Sequence, residues 1–454
     1  MRALLKSTSL LAALVLLASC AGDPMLQVRR DFAGGRYELV RGELTRLAAS
    51  DVKNEHVWRL ERSVASLAMG RPKEAIGDLR RARDELEDLE GTDYSGWFQS
   101  VLLDDTRLAY QGADFEIVLI RALLALAALM TGEANDAGAY ALQIGEKQRE
   151  IIDAFEAKDG RKPKDAYKLV AFGSYLRGIL DEGALKFDVA RRSYERVREL
   201  EPTFVFNNEN VTRITDGHIS AKGNGVVHVL ALVGRGPFRV EVEEPVTRDA
   251  FAIAQLVWAI IRDRATIPNV AAVKIPQLAF YTDNPTELHV EVDGRSAGVT
   301  AVITDVEETA RREFEAMRAH IVARAVIRRA VKVALTEGAK EGVRSRRREY
   351  RAENALVDLA ISGAGILWAA IESADLRCWS LLPASFQVLR LELPAGEHDI
   401  VFRAGRQAGA FGSPQRVRVH VSDGHNTYVS VMTPTVDGGP PPQSSQTVEP
   451  ETSS

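Results

Sequence analysis

Eight histidines lie singly along the chain: His56, His218, His228, His289, His320, His398, His420 and His425. None belongs to a His-Glu-x-x-His pair and no Cys-x-x-Cys occurs, so no zinc or other metal site is expected. No Gly-x-Ser-x-Gly elbow is present, and no two carboxylates stand out as an acid–base pair. The chain is therefore expected to be no enzyme and to carry no cofactor. The two cysteines differ in chemistry. Cys20 closes the run Leu17-Ala18-Ser19-Cys20, after an apolar stretch that follows Arg2 and Lys6. A charged start, an apolar middle and a small-residue cleavage site make a secretory signal. The stretch 10–17 is too short to span a bilayer, which takes about 20 apolar residues. Cys378 is then a lone thiol in an oxidising compartment, and it is expected to be buried beside Trp379 and Leu381.

With cysteine at the processing point, the run resembles the lipobox of bacterial lipoproteins. The resemblance implies removal of residues 1–19 as a signal peptide and acylation of Cys20, palmitate included. A single acyl chain binds membranes only marginally, and the several chains of that class make the anchor permanent. Ala21, rather than Asp, follows Cys20. In that class the pattern implies the outer membrane, facing the periplasm.

The elements that must carry any site fall into two parts. At 454 residues and 46% apolar content, two or three domains with real cores are expected. The net charge of −5 argues against nucleic-acid binding. Residues 20–205 show apolar positions at three- and four-residue spacing, the pattern of helices. Gly70-Arg71-Pro72 with Ala75, Gly35-Arg36-Tyr37 thirty-five residues earlier, and Gly132-Glu133-Ala134 with Ala137 resemble tetratricopeptide turns and contact alanines. Gly178, Phe187, Ala190, Tyr194 and Pro202 fit a last unit. Between units, Asp105, Arg107, Tyr110 and Glu116 flank a polar turn before an apolar helix. They are the candidate partner-binding residues at the groove edge; the alternative is a plain helix entry with Asp114 as its N-cap.

Residues 206–433 read as β structure. The run 226–233, apolar but for His228, predicts a buried strand, Gly234-Arg235-Gly236 a turn, and 238–242 a second strand. Residues 248–264 predict a helix. Val290-Glu291-Val292-Asp293-Gly294 predicts a hairpin turning at Asp-Gly, and 416–421 with 427–431 predicts another around Asp423-Gly424. The first hairpin and Leu393-Pro394-Ala395-Gly396-Glu397-His398 resemble two halves of a small β-sandwich of the PEGA type. A helical insertion at about 305–372 separates them, with a long amphipathic helix over 306–335, a basic hinge at 344–351 and an apolar helix over 356–371. Arg324, Arg328, Arg329 and Lys332 make it a candidate membrane surface; the alternative is two helices packed on the sandwich. Residues 434–454 lack core-forming side chains and are expected to be a disordered tail.

Four segments together resemble a family of bacterial lipoproteins with tetratricopeptide-like repeats and a C-terminal PEGA-like region: 110–116, 229–237, 323–330 and 374–384. The last is the most specific, and it departs from the pattern at Leu376 and Cys378, where small polar residues are expected. The resemblance implies architecture and location, and no reaction. The expected fold is a multidomain α+β chain: a helical repeat array, then a small β-sandwich with a helical-hairpin insertion. The expected function is an interaction scaffold for envelope proteins, tethered to the membrane through Cys20. Two alternatives stay open: a glycan-binding or cell-wall-active cleft, and membrane-surface binding through the insertion.

Overall fold

The computed structural model describes residues 24–91, 109–154, 162–262, 272–347, 374–406 and 411–446. Residues 1–19, Cys20, Asp105, Arg107, the expected helix over 356–371 and residues 447–454 lie outside the described residues.

A helical half comes first: α1 (Pro24–Ala33), α2 (Tyr37–Ser50), α3 (Glu55–Ala68), α4 (Pro72–Gly91), α5 (Asp114–Met130), α6 (Ala134–Asp153), α7 (Phe172–Gly183), α8 (Phe187–Leu200) and α9 (Asn207–Thr215). From α2 onward each of these helices packs on the next, α5 lying directly against α4. One turn recurs in the pairs α1–α2, α3–α4, α5–α6 and α7–α8. A residue of positive φ follows the first helix: Gly35, Gly70, Gly132 and Leu185, at +73°, +69°, +81° and +59°. The next amide donates back five residues: Arg36 to Asp31, Arg71 to Ser66, Glu133 to Ala128 and Lys186 to Asp181, at 2.8–2.9 Å. This satisfies a helix-end carbonyl and reverses the chain. Five residues past each such position sits a buried contact residue: Val40, Ala75, Ala137 and Ala190. The fourth turn carries leucine, so no glycine marks it in the sequence.

The two helices of a pair differ in burial. In α3 and α5 most residues are buried, polar ones included, whereas α2 and α8 bury only one stripe. The inner helices are therefore covered on a second side. The cover is the β half.

Its strands are β1 (Asn224–Val233), β2 (Phe238–Pro245), β3 (Ala272–Ala279), β4 (Glu287–Val292), β5 (Arg295–Val299), β6 (Ala301–Asp305), β7 (Ser385–Pro394), β8 (Gly396–Gly405), β9 (Gln415–Val421), β10 (Asn426–Thr433) and β11 (Gln443–Gln446). They form a five-stranded sheet, β11-β10-β1-β7-β6, a four-stranded sheet, β5-β4-β8-β9, and a ribbon, β2-β3. Strand β1 is central, parallel to β10 and antiparallel to β7. Its Val227, Val229, Ala231 and Val233 pack with Val290, Ile400, Phe402 and Val419 of the four-stranded sheet. On its other face Leu230 and Leu232 join the core of the helices. Double burial explains the apolar run, which only the buried His228 interrupts.

Three expectations are corrected. Strands β9 and β10 are not a hairpin: β9 pairs with β8, and β10 pairs with β1 and β11. Their exposure gives the reason. Strand β9 alternates and suits a half-exposed sheet, while β10 is buried nearly throughout and suits the central one. Residues 434–446 are not a disordered tail. Strand β11 pairs with β10, and Gln443 and Ser445 donate to the carbonyls of Leu67 and Leu129, at 2.7 and 2.8 Å. Order here comes from these hydrogen bonds together with the burial of Pro434 and Pro440. The long helix of the insertion, α11 (Val306–Arg347), does not stop at residue 335 but continues to Arg347, into the first residues of the expected basic hinge. Its Val322, Val326 and Ala330 share a second core with Ala250 and Ala254 of α10 (Arg248–Arg262) and with Val273 and Ile275 of β3.

The Asp-Gly turn between β4 and β5 forms as expected, with φ of +51° at Asp293 and +78° at Gly294. It also joins the distant half of the β region. His398 Nδ1 lies 2.7 Å from Asp293 Oδ2, and Nε2 lies 2.8 Å from the Pro394 carbonyl. Both neighbours are acceptors, so only the doubly protonated ring donates to both. Burial works against the charge, but the Pro394 carbonyl and Asp293 outweigh it, and the pKa of His398 is raised.

Two outcomes follow. Leu185→Gly should stabilise the protein by about 1 kcal/mol in urea unfolding, because leucine holds a left-handed φ at an exposed turn; a loss of stability would contradict it. The His398 clasp should be complete below 6.5 and weaken as pH rises through the raised pKa. An NMR titration of the ring with a midpoint below 6.5 would contradict this.

Candidate functional site

The inner face of the helices holds a stretch of the same chain, residues 374–384, which belongs to no sheet strand. It is gripped by two glutamates. Glu61 lies in the middle of α3, on the stripe formed by Val57, Leu60, Val64 and Ala68. Its Oε1 accepts from the Ser380 amide and hydroxyl at 2.7 and 2.8 Å, and its Oε2 accepts from the Leu381 amide at 2.8 Å. Glu116 lies in the first turn of α5. Its Oε1 accepts from the Trp379 amide at 2.8 Å, while Oε2 accepts from the Tyr110 hydroxyl at 2.6 Å and from the Ala113 amide at 3.1 Å. Backbone placed in an interior outside helix and sheet needs acceptors for its amides, and the two carboxylates supply those of Trp379, Ser380 and Leu381. Trp379, Leu381 and Leu382 are buried in the helical core.

Flanking contacts complete the seat. Arg239 of β2 donates to the Arg377 carbonyl at 3.0 Å, and Arg377 reaches Asn54 at the start of α3. Arg239 and Arg377 both stand over the Tyr110 ring, at 5.5 and 5.7 Å from its centroid. The ends of the inner helices are also satisfied from the β half. Glu313 of α11 accepts from the Asp114 and Phe115 amides at 2.9 and 2.7 Å, and Thr304 accepts from the Phe172 amide at 3.2 Å. Asn426 donates to the Ile179 carbonyl at 3.1 Å. The three amides are among those that a helix leaves open at its start. Farther along, buried Glu182 of α7 accepts from Tyr194 at 2.7 Å and from Arg213, with Arg390 of β7 at 3.8 Å. Burial, together with Arg390 and Arg213, holds neighbouring His228 well below the ordinary histidine range.

Burial dominates the electrostatics of the seam. It pushes Glu61 up to about 7, against the opposing pull of the Ser380 and Leu381 donors and of Arg29. Glu313 is pushed well above the carboxylate range by burial and by Asp114. Burial pushes the Cys378 thiol up to about 12, so it stays protonated and inert as a nucleophile.

The partner-binding expectation is corrected at two of its four residues. Tyr110 and Glu116 meet, but at 4% and 1% exposure they grip the chain's own segment and face no partner or glycan. Asp114 is not the N-cap: it is the first residue of α5, with its carboxylate held by Lys164 and Tyr167. Of the insertion's candidate basic residues, Arg329 is exposed. Arg329 donates to the Ala272 carbonyl at 2.8 Å, Arg324 and Arg328 are half-buried, and the side chain of Lys332 lies outside the described residues. The sequence reading missed Glu61 and Glu313. The legible signal was an acid on the apolar stripe of α3.

Among the described residues no histidine, cysteine or carboxylate cluster could hold a metal ion, and no helix is long and apolar enough to cross a membrane. An open cleft of about 470 Å³ runs along α9, lined by Asn208, Glu209, Thr212, Arg213, Asp216 and His218. Compared with known proteins, the chain matches no family model, no curated sequence and no solved structure.

Glu116→Ala should cost about 3 kcal/mol or more in urea unfolding, because three buried donors lose their acceptor. A loss under 1 kcal/mol would show that the grip contributes little.

Proposed function

We propose that this chain is a lipoprotein anchored through Cys20 in the outer membrane, facing the periplasm, where it serves as an interaction scaffold for envelope proteins. The helix pairs are read as tetratricopeptide-like units, and the two facing sheets as a sandwich of the PEGA type. The observation that carries the scaffold reading is the occupied inner face. Glu61, Glu116 and Glu313 commit it to the chain's own β half. A helical array filled in this way is a stiff platform, and its outer helices α2, α4, α6 and α8 are the surface left for partners. Leu39 and Leu142 stand exposed on α2 and α6. Tethering would confine that surface to a thin layer beside the membrane.

Photo-crosslinking residues placed at positions 39 and 142 of the full chain should give adducts with envelope proteins in intact cells. The absence of adducts from all outer-helix positions would overturn the scaffold reading. Cys20→Ala should move the protein from the membrane to the soluble fraction with an unchanged circular dichroism spectrum. Retention in the membrane fraction would overturn the anchor.

A further inference from the structure

Only Ala21, Gly22 and Asp23 stand between Cys20 and Pro24, the first residue of α1. Four residues of chain reach about 14 Å at full extension, so whatever holds Cys20 holds the start of α1 within that distance. The helix has two faces. Met25, Val28 and Phe32 are buried, and Leu26, Gln27 and Arg30 form the exposed stripe on the opposite side. Leu26 is 45% exposed, one turn from an exposed arginine. Residues 24–36 carry three arginines, Arg29, Arg30 and Arg36, against one acid, Asp31, in a chain of net charge −5. Beside α1, Arg29 stands 4.9 Å from the ring centre of Phe238, Phe238 lies 5.0 Å from Tyr281, and Arg235 stands 3.9 Å from the ring centre of Tyr281. All four are half-buried.

We propose that α1 is the face of this protein that rests on the membrane: its stripe of Leu26, Gln27 and Arg30 lies on the anionic phospholipid surface that receives the acyl chains of Cys20, with Arg30 on the phosphates and Leu26 at the acyl boundary. The inference rests on the anchor reading of Cys20. Reach selects the occupant, because acyl chains in a bilayer leave the start of α1 no more than about 14 Å from the head groups. Charge selects the lipid. An arginine gives a phosphate two parallel N–H donors, and a basic helix with an apolar side chain on its outer face seats at that boundary. Tyr281, with Arg235 over its ring, suits the rim of the same contact, since both side chains join an apolar body to a polar tip.

The contact orients the molecule. Helices α2 to α9 pack one on the next in chain order, starting from α1, so α8 and α9 stand at the far end of that order. Val205, 73% exposed between them, is thereby held away from the bilayer.

The full acylated chain, carrying a photo-crosslinking residue at position 26 or 205, tests this in vesicles of phosphatidylglycerol and of phosphatidylcholine. Both positions are exposed, so the substitutions spare the core. Intact mass is read first: an unmodified Cys20 overturns the anchor reading and this inference with it. On acylated protein, phospholipid adducts at 26 and none at 205 support a membrane-facing α1. Adducts missing at 26, or as abundant at 205, overturn it and leave the anchor standing. In phosphatidylglycerol vesicles Arg30→Gln should lower the adduct at 26 by about fivefold, the factor that one basic side chain beside an anionic surface supplies. A yield that Arg30→Gln leaves unchanged, or that is equal in the two lipids, overturns the contact of Arg30 with anionic head groups.

Discussion

A main chain that enters an apolar interior without joining a sheet must find an acceptor for every amide it buries. Residues 374–384 make that demand, and Glu61 meets it with both oxygens, at Ser380 and Leu381, and Glu116 with one, at Trp379. The rest of the architecture follows. The segment leads straight into β7, so seating it sets β7, and through β7 the neighbouring β1 and β6, against the inner helices. The apolar side chains then close the joint: Trp379, Leu382 and Phe386 enter the same core as Leu60, Leu119 and Phe172. Apolar burial supplies most of the stabilisation. The carboxylates supply direction, because they fix which backbone atoms lie where.

Carboxylates recur at this joint for a physical reason. One carboxylate offers about four acceptor sites on a short stem, so a single helix residue can hold two or three amides. The cost is desolvation of the charge, which appears as the raised pKa of Glu61 and Glu313. At the other end of the seam the cost is offset differently, since Glu182 is met by Arg213, with Arg390 close by. The joint thus has one end held through main-chain amides and one held by ion pairs. Only the first places a carboxyl under a segment that belongs to no sheet.

The legible parts of the fold were those written in local pattern. Glycine at 35, 70 and 132 marked three of the four helix turns, because a left-handed residue is cheapest as glycine. The Asp293-Gly294 hairpin was equally plain, as was the buried strand at 226–233. The fourth turn escaped because Leu185 occupies the left-handed position. The seat of residues 374–384 escaped for another reason. Its residues stood out as a specific segment, yet Tyr110 and Glu116 read as a surface loop, since a polar turn before an apolar helix looks the same exposed or buried. Strand partners were the least legible. Strands β9 and β10 follow one another around an Asp-Gly turn and still join different sheets.

By itself the sequence determined most of the elements: the helices of the first half, three of their four turns, the buried strand at 226–233, the Asp293-Gly294 hairpin, and that an acid sits on the apolar stripe of α3. These depend on residues a few positions apart, whose sterics and periodicity act before any tertiary contact forms. What only the tertiary structure decided is what fills the inner face of the helices and what Glu61 is for. Its partners lie 319 and 320 residues away, and no local propensity reaches that far. A buried carboxylate acquires its role from the groups that folding brings to it.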